Sequence, residues 1–401
     1  MEEIELSVMH HAADPELTAQ VLQPLLDQFK AQARVQVHLQ CLDWTTAKQD
    51  LTKVALYHHG PDVSEIGSTW VSELIAMNAI RPFAPHELAK IGQPAEFAPA
   101  SWSTTQVAGD NQVWALPWLA EAYVIHYRKD LLHQAGVDEA TAFQSHAQLE
   151  QTALRLKASG VDIPVELSLR ADRFGALHTL ASWVWGNGGD FLSPDRKRVL
   201  FDQPGALAAL RSYFSLLGLL SSEGRRLMVE EGNESLFPRG KSAIAFGTIR
   251  LAKPAYPLPA EVAENWGVAA LPRPCFVGGS NLAIWNHTRH AKAAVDLVRF
   301  LTQASSLAHC HGPLAALPPR LTALDTPEFT QDPMLNVMGS AIKTGRAYPA
   351  FTLWGLLEDK LVDALLKIGN QMLTQPDSDV ETVIRQQIEA VAQRLNLTLS
   401  S

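Results

Sequence analysis

Hydrophobic and polar positions change their period several times along the chain. Ile4, Leu6 and Val8 alternate with polar residues at a spacing of two, the pattern of a strand with one buried face. Asp14-Pro15 then supplies an N-cap residue and a proline for a first helical position. Leu17, Val21, Leu25 and Phe29 follow at a period of about 3.6 and predict a helix. Pro24 inside it removes one backbone hydrogen bond and predicts a kink. Val35, Val37 and Leu39 return to the spacing of two. Thr46 and Gln49 form a capping-box pattern for a helix reaching about His59, where Gly60-Pro61 ends it. Residues 62–66 read as a short strand and 70–80 as a further helix. Strand, helix, strand, helix, strand with short links predicts a parallel or mostly parallel sheet.

The middle of the chain continues in this style. Residues 113–116 and 123–127 are strand-like. Ser145 with Gln148 caps a helix that ends at Gly160. Asp172 opens another, and the run Gly186-Asn187-Gly188-Gly189 reads as its C-cap and turn. Gln203-Pro204 opens a helix carrying Leu207, Leu210, Phe214 and Leu217. Residues 243–246, 266–270 and 282–285 look like buried strands, the last followed by a helix over 290–302. Helices are then expected at 327–343, 350–372 and 379–396. There is no heptad array, short repeat or long polar linker, so two intertwined α/β lobes fit better than two sequential domains.

Composition narrows the class. The 401 residues leave room for two or three domains, and 47% apolar with 19% charged residues is a globular balance. A net charge of −9 argues against a long basic groove for nucleic acid. Cys41, Cys275 and Cys310 are far apart, show no zinc spacing and can form at most one disulfide. No apolar stretch reaches the roughly 18 residues of a membrane helix. Residues 1–9 lack the basic region, apolar core and cleavage site of a signal peptide. That leaves a cytoplasmic protein, or one whose export segment has been removed. No P-loop, dinucleotide-binding glycine motif or G-x-S-x-G elbow is present. His10-His11 lacks further ligands for a metal site and is expected to line a cleft just past a strand end.

The aromatic residues carry the more useful signal. There are 10 Trp against 6 Tyr. Trp44, Trp70, Trp114, Trp118 and Trp285 fall at predicted strand ends or loop starts, and Trp183, Trp185 and Trp354 lie beside glycines or polar residues. An indole offers a flat apolar face with one polar handle. The carbon-bound hydrogens of a sugar ring pack on such a face, while Asp, Glu, Asn, Arg and His bind hydroxyls. Any one Trp reads more naturally as core, but the set is hard to place in a core alone. Asp62, Glu65 and Glu121 lie near strand ends and could pair as glycosidase carboxylates, although no motif fixes an acid and a nucleophile.

The order of segments resembles the extracellular solute-binding proteins of ABC importers, in the sugar-binding branch that includes maltose-binding protein. Gly60-Pro61-Asp62-Val63 resembles the family's "PDV" strand, followed here by Ser68-Thr69-Trp70 and a helix closing at Ile80-Arg81-Pro82-Phe83. Leu116-Pro117-Trp118 with the stretch 123–132 is similar to the first crossing between lobes, and is the most specific piece. Phe237-Pro238-Arg239-Gly240-Lys241-Ser242-Ala243 resembles the "F-x-x-G-K-A-A-M" segment. Trp266-Gly267-Val268 with Gly278-Gly279-Ser280-Asn281 looks like the return crossing. The segment after "PDV" departs from the family's apolar run, being Ser-Glu-Ile-Gly.

The resemblance implies a periplasmic-binding-protein-like α/β fold: two lobes with mixed, mostly parallel sheets, a multi-crossing hinge and a helical C-terminal segment. One lobe would hold residues 1–117 and 281–320, the other 122–276 and 328–401, with crossings near 117–123, 275–281 and 318–328. It implies a ligand enclosed between the lobes by hinge closure and delivered, unaltered, to the permease of an ABC importer. By position, ligand contacts would come from His10, His11, Trp44, Ser68, Thr69 and Trp70 of the first lobe. The second lobe and the crossings would add Trp118, Glu121, Tyr123, Arg173, Trp183, Trp185, Gly247, Arg250, Gly279, Asn281, Tyr348 and Trp354. Trp and Tyr would stack, Gly would allow backbone approach, and the rest would hydrogen-bond hydroxyls, with Arg173 and Arg250 open to an anionic group. The expected protein is a non-enzymatic periplasmic or extracellular monomer, lipid-anchored in one version of this reading, with no cofactor, metal or nucleic-acid partner. Two other classes stand beside it: a glycan-active enzyme with paired carboxylates, and the ligand-sensing lobe pair of a receptor.

Overall fold

The structure, a computed structural model, describes every residue except 11–14, 108, 170–173, 233, 255, 273 and 401, and omits the side chains at 15 and 174. The chain divides into two compact units, Met1–Glu121 with Val277–Gly355, and Ala122–Phe276 with Leu356–Ser401. It passes from one to the other at 121–122, 276–277 and 355–356. The third passage therefore lies beyond the expected 318–328, and residues 328–355 belong to the first unit.

Unit 1 opens with β1 (Glu2–His10), α1 (Pro15–Ala33), β2 (Val35–Asp43), α2 (Trp44–Tyr57), β3 (Val63–Gly67) and α3 (Val71–Ala76). β1 pairs in parallel with β2, from Glu2 opposite Val35 to His10 opposite Asp43, and with β3 through Leu6 and Ser7. One residue, Arg34 in the left-handed region at φ 59°, suffices to turn α1 into β2. On one face Leu6, Val8 and Val37 meet Leu22, Leu26 and Phe29 of α1 and Leu297, Val298 and Leu301 of the helix Ala291–Leu301. Phe29 and Phe300 lie 5.4 Å apart in this layer. On the other, Leu42 and Ile66 meet Ala47 and Leu51 of α2, Leu74 of α3, and Trp285. Each of these Val, Leu, Ile and Phe side chains taken wholly from water stabilises by about 1.5–3 kcal/mol.

Two more strands complete this sheet. β4 (Ala115–Ala122) is made early in the chain, and β8 (Val277–Ile284) is the last strand. The order is β2-β1-β3-β8-β4, with β8 antiparallel to β3.

Unit 2 holds β5 (Val124–Arg128), β6 (Ile244–Gly247) and β7 (Trp266–Ala270), in the order β6-β5-β7. Both pairings are antiparallel, and among the described residues the parallel component is a single bridge between Glu166 and Ala245. The mostly parallel expectation thus describes β1–β3 and fails in unit 2. All of β5 is buried, so it lacks the alternation that would assign it one core-facing side, and periodicity never carries strand direction.

Helix ends differ from the sequence expectation where a local hydrogen bond decides them. α2 begins at Trp44, capped by Asp43, whose side chain accepts from the Thr45 N–H at 2.8 Å. This displaces the Thr46/Gln49 box. α3 stops at Ala76, with Asn78 left-handed at φ 52°. The helix expected over 327–343 is two, Pro327–Gln331 and Pro333–Thr344, because Asp332 caps the second through the Leu335 N–H and Pro333 offers no N–H. The last two helices are Trp354–Thr374 and Val380–Ser400. α1 runs through Pro24 as one helix, and its expected cap at Asp14 lies outside the described residues, as does the expected helix start at Asp172.

Candidate functional site

In unit 1 the carboxyl ends of β1, β2 and β3 point the same way, as parallel pairing requires, and polar and aromatic groups collect there. His10 closes β1 and Asp43 closes β2, with His10 Nε2 3.9 Å from the Asp43 carboxylate. Hydrogen bonds from the Thr45 hydroxyl and N–H hold the Asp43 carboxyl below its usual range, and His10 adds a smaller push. The Nδ1 atom of His10 is buried and has no hydrogen-bond partner among the described residues. Trp44, 39% exposed, starts α2 and stacks on Trp70 with ring centroids 5.5 Å apart and planes 24° from parallel.

That stack depends on a turn. The Trp70 N–H donates to the Gly67 carbonyl at 2.9 Å, and the ring folds back over the end of β3. A Cβ added at Gly67 would lie 2.8 Å from Trp70 Cε2, so the ring position requires glycine. Ser68 donates its N–H to the Gly279 carbonyl at 3.0 Å, and Ser68, Thr69 and Trp70 are partly exposed between β3 and α3. Tyr348 and Trp354, also of unit 1, stack at 4.4 Å and 25° and are largely buried. Lys48 of α2 and Glu73 of α3 form an ion pair at 3.1 Å.

In unit 2, half-buried Tyr123 precedes β5 and donates its N–H to the Phe276 carbonyl at 3.2 Å. Its ring meets His178 edge-on at 5.5 Å, and His178 stacks on Phe276 at 4.1 Å. Gly247 ends β6 opposite Val124, and half-buried Arg250 sits in the short turn Ile249–Ala252.

Several expected ligand residues are core instead. Trp118 is 1% exposed and packs in the main core of unit 1. Trp183 is equally buried, between a stacked His146 at 4.3 Å and the edges of Tyr213 and Phe246. Trp185 donates to Asp190 at 3.3 Å and packs against Phe191. Asn281 is buried and donates to the Thr104 hydroxyl at 3.0 Å. Gly279, at φ 125°, is required by the backbone: a Cβ there would lie 2.1 Å from the Leu119 carbonyl oxygen. Glu121 is half-buried near the end of β4. His11 and Arg173 lie outside the described residues.

The sequence reading missed Lys48, Glu73, His178 and Phe276. His178 could have been noticed as the one imidazole in the apolar stretch 174–186. It also missed Glu166, a buried carboxylate accepting from the N–H groups of Leu236 and Phe237 and the hydroxyls of Ser235 and Ser242. Glu166 fastens the Phe237–Ser242 segment whose motif the sequence displayed.

Two of the three carboxylates considered for hydrolysis are held by the sheet. Asp62 accepts from the Glu5 N–H at 2.9 Å and the Thr288 hydroxyl at 2.5 Å, and Glu65 is fully buried and accepts from the Met9 N–H at 2.6 Å. Burial raises the thiols of Cys310, up to about 12, and of Cys41, with Glu65 contributing to both. Among the described residues no disulfide joins the three cysteines, and no cluster of His, Cys, Asp and Glu could hold a metal ion. Among them also, no helix is long and apolar enough to cross a membrane.

Residues 25–337 match the family described as bacterial extracellular solute-binding protein. The chain belongs to that family. It is a family of binding proteins rather than enzymes, and its name places its members outside the cell's inner compartment. Among curated relatives, a Deinococcus radiodurans protein named "Probable ABC transporter-binding protein" is 26% identical over 200 residues, 47% of either chain. The chain thus spans about half the length of that relative. The diacetylchitobiose-binding protein DasA of Streptomyces coelicolor is 21% identical over 354 residues, covering 84% of this chain and 78% of DasA. Among solved structures, the sugar-binding protein MalE of Xanthomonas citri aligns with a TM-score of 0.80 at 22% identity, over 99% of this chain and 97% of MalE. The solute-binding protein therefore has the periplasmic-binding-protein-like fold expected of it.

Proposed function

We propose that this solute-binding protein captures a carbohydrate, either a mono- or oligosaccharide or a polyol, by hinge closure and delivers it unaltered to the permease of an ABC importer. The observation that carries this reading is the Trp44–Trp70 stack, which keeps one indole 39% exposed beside His10, Ser68 and Thr69. A flat apolar face rimmed by hydroxyl and imidazole groups matches a sugar, which has apolar ring faces and polar edges. Glu121, Tyr348 and Trp354 in unit 1, and Tyr123, Gly247 and Arg250 in unit 2, are the remaining candidates for contact. The diacetylchitobiose named for DasA and the description of MalE as sugar-binding support the class of ligand. The structural duties of Asp62, just before β3, and Glu65 within it leave these two unavailable as a hydrolytic pair, which favours binding over catalysis. The protein is proposed to act as a monomer in the periplasm or at the cell surface, lipid-anchored or free, without a nucleic-acid partner.

Tryptophan fluorescence titrated with mono- and disaccharides, polyols and glycerol phosphates tests this reading. Saturable micromolar or tighter binding of a neutral sugar or polyol, with the ligand recovered intact, is the expected result. Conversion of the sugar, or response to the phosphates alone, overturns it.

A further inference from the structure

The Lys48–Glu73 ion pair touches three elements that each carry an aromatic residue of the candidate site. Lys48 lies one turn after Trp44 on α2, and Glu73 lies one turn after Trp70, in the first turn of α3. The third element is the helix Trp354–Thr374, whose second residue is Gly355. A Cβ added at Gly355 would lie 2.1 Å from Glu73 Oε1 and 2.7 Å from Lys48 Nζ. The carboxylate therefore rests directly on the backbone of the first helical turn, in a notch only glycine leaves open.

Charge makes this seat favourable. The first turn of a helix carries unsatisfied N–H groups and partial positive charge, which a nearby carboxylate complements. The Lys48 ammonium, 3.1 Å from Glu73 Oε1, holds the carboxylate in place. With side chains 39% and 27% exposed, the pair contributes little as a surface salt bridge. Its position matters more than its strength, because Trp354 is the residue immediately before the notch.

We propose that Glu73, steadied by Lys48, is a positioning residue that docks the start of the Trp354–Thr374 helix and so fixes Trp354 and its stack with Tyr348 in register with Trp44 and Trp70. The consequence for ligand affinity rests on the carbohydrate reading; the docking itself does not.

Fluorine NMR of fluorotryptophan-labelled protein separates the two. The Trp354 and Trp183 resonances are assigned by Trp354→Phe and Trp183→Phe. Glu73→Gln keeps the shape and removes the charge, and Lys48→Met loosens the carboxylate by a second route. In both variants the Trp354 resonance is expected to shift or broaden, while that of Trp183, in unit 2, stays in place. The exchanged pair Lys48→Glu/Glu73→Lys restores an ion pair but sets an ammonium on the positive helix end, so Trp354 should not recover. Sugars that bind the native protein should bind Glu73→Gln about tenfold more weakly, the size of one well-placed aromatic contact. An unchanged Trp354 resonance in Glu73→Gln, or its full recovery in the exchanged pair, overturns the proposal whatever any sugar does. Failure of all sugars to bind, with Trp354 displaced as expected, overturns the carbohydrate reading alone.

Discussion

Trp70 lies over the end of β3 because residue 67 has no side chain. Gly67→Ala would push a methyl group into the indole, 2.8 Å from Cε2, and displace the stack on Trp44. The expected outcome is sugar affinity lowered about tenfold, as for losing one aromatic contact, with little change in melting temperature because Trp44 is already 39% exposed. Titration beside a thermal melt checks both halves. Glu166 is the opposite kind of residue, buried and fully engaged. Glu166→Ala strips four donors of their acceptor and should cost about 1–3 kcal/mol or more in urea unfolding, with sugar affinity per folded molecule unchanged. The type of residue at the site was readable in the sequence, since tryptophans cluster near strand ends. Which of them face outward was not. Trp44 and Trp118 look alike as strand-end residues, yet the first begins a helix at the sheet's edge and the second lies within β4, buried in the main core of unit 1.

At the scale of elements, β8 approaches β4 so closely that Gly279 has no substitute. Gly279→Ala would set a Cβ 2.1 Å from the Leu119 carbonyl oxygen and strain a φ of 125°. Loss of several kcal/mol and poor recovery of soluble protein are expected, measured by urea unfolding of whatever folds. The β1-α1-β2-α2-β3 succession was legible because each strand in it is followed by a helical stripe. The antiparallel sheet of unit 2 was not, because apolar runs such as 244–247 and 266–270 reveal a strand without its direction, and the second, expected to be buried, is mostly half-exposed. Caps were legible where one side chain competes, as at Ser145, which accepts from the Gln148 N–H. They were misread where two did, as at Asp43 and Thr46. The split at Asp332 follows the same rule, since an Asp-Pro pair starts a helix better than it continues one.

For the whole molecule, acid should act first on unit 2. Burial holds the His126 imidazole down at about 4 against an ordinary 6.5, and its Nδ1 accepts from Trp266 Nε1 at 3.0 Å, which requires that atom to be unprotonated. His146, stacked on Trp183 in the same unit, is lowered likewise by burial. A histidine lowered in the folded state is neutral there while the unfolded chain already binds its proton. Its stabilising contribution is whole above pH 6.5, falls as pH drops, and is lost by about pH 4, where folded and unfolded states bind the proton alike. For His126 the span amounts to about 3 kcal/mol, and partly exposed His146 adds less. Melting curves across that window should steepen in pH dependence for the native protein and flatten in His126→Gln. Equal slopes in the two proteins would remove His126 as the cause.

The strand order has a consequence for how the protein is made. β3 and β4 are both translated early, but the strand that pairs with each of them, β8, comes last. At about 5–20 residues per second, the roughly 200 residues separating β3 from β8 take some ten to forty seconds to appear. Throughout that interval β3 presents an open hydrogen-bonding edge and β4 has no neighbour in its sheet. The nascent chain is thus held short of its native state by its own topology, for long enough that an export machine requiring unfolded substrate could engage it first.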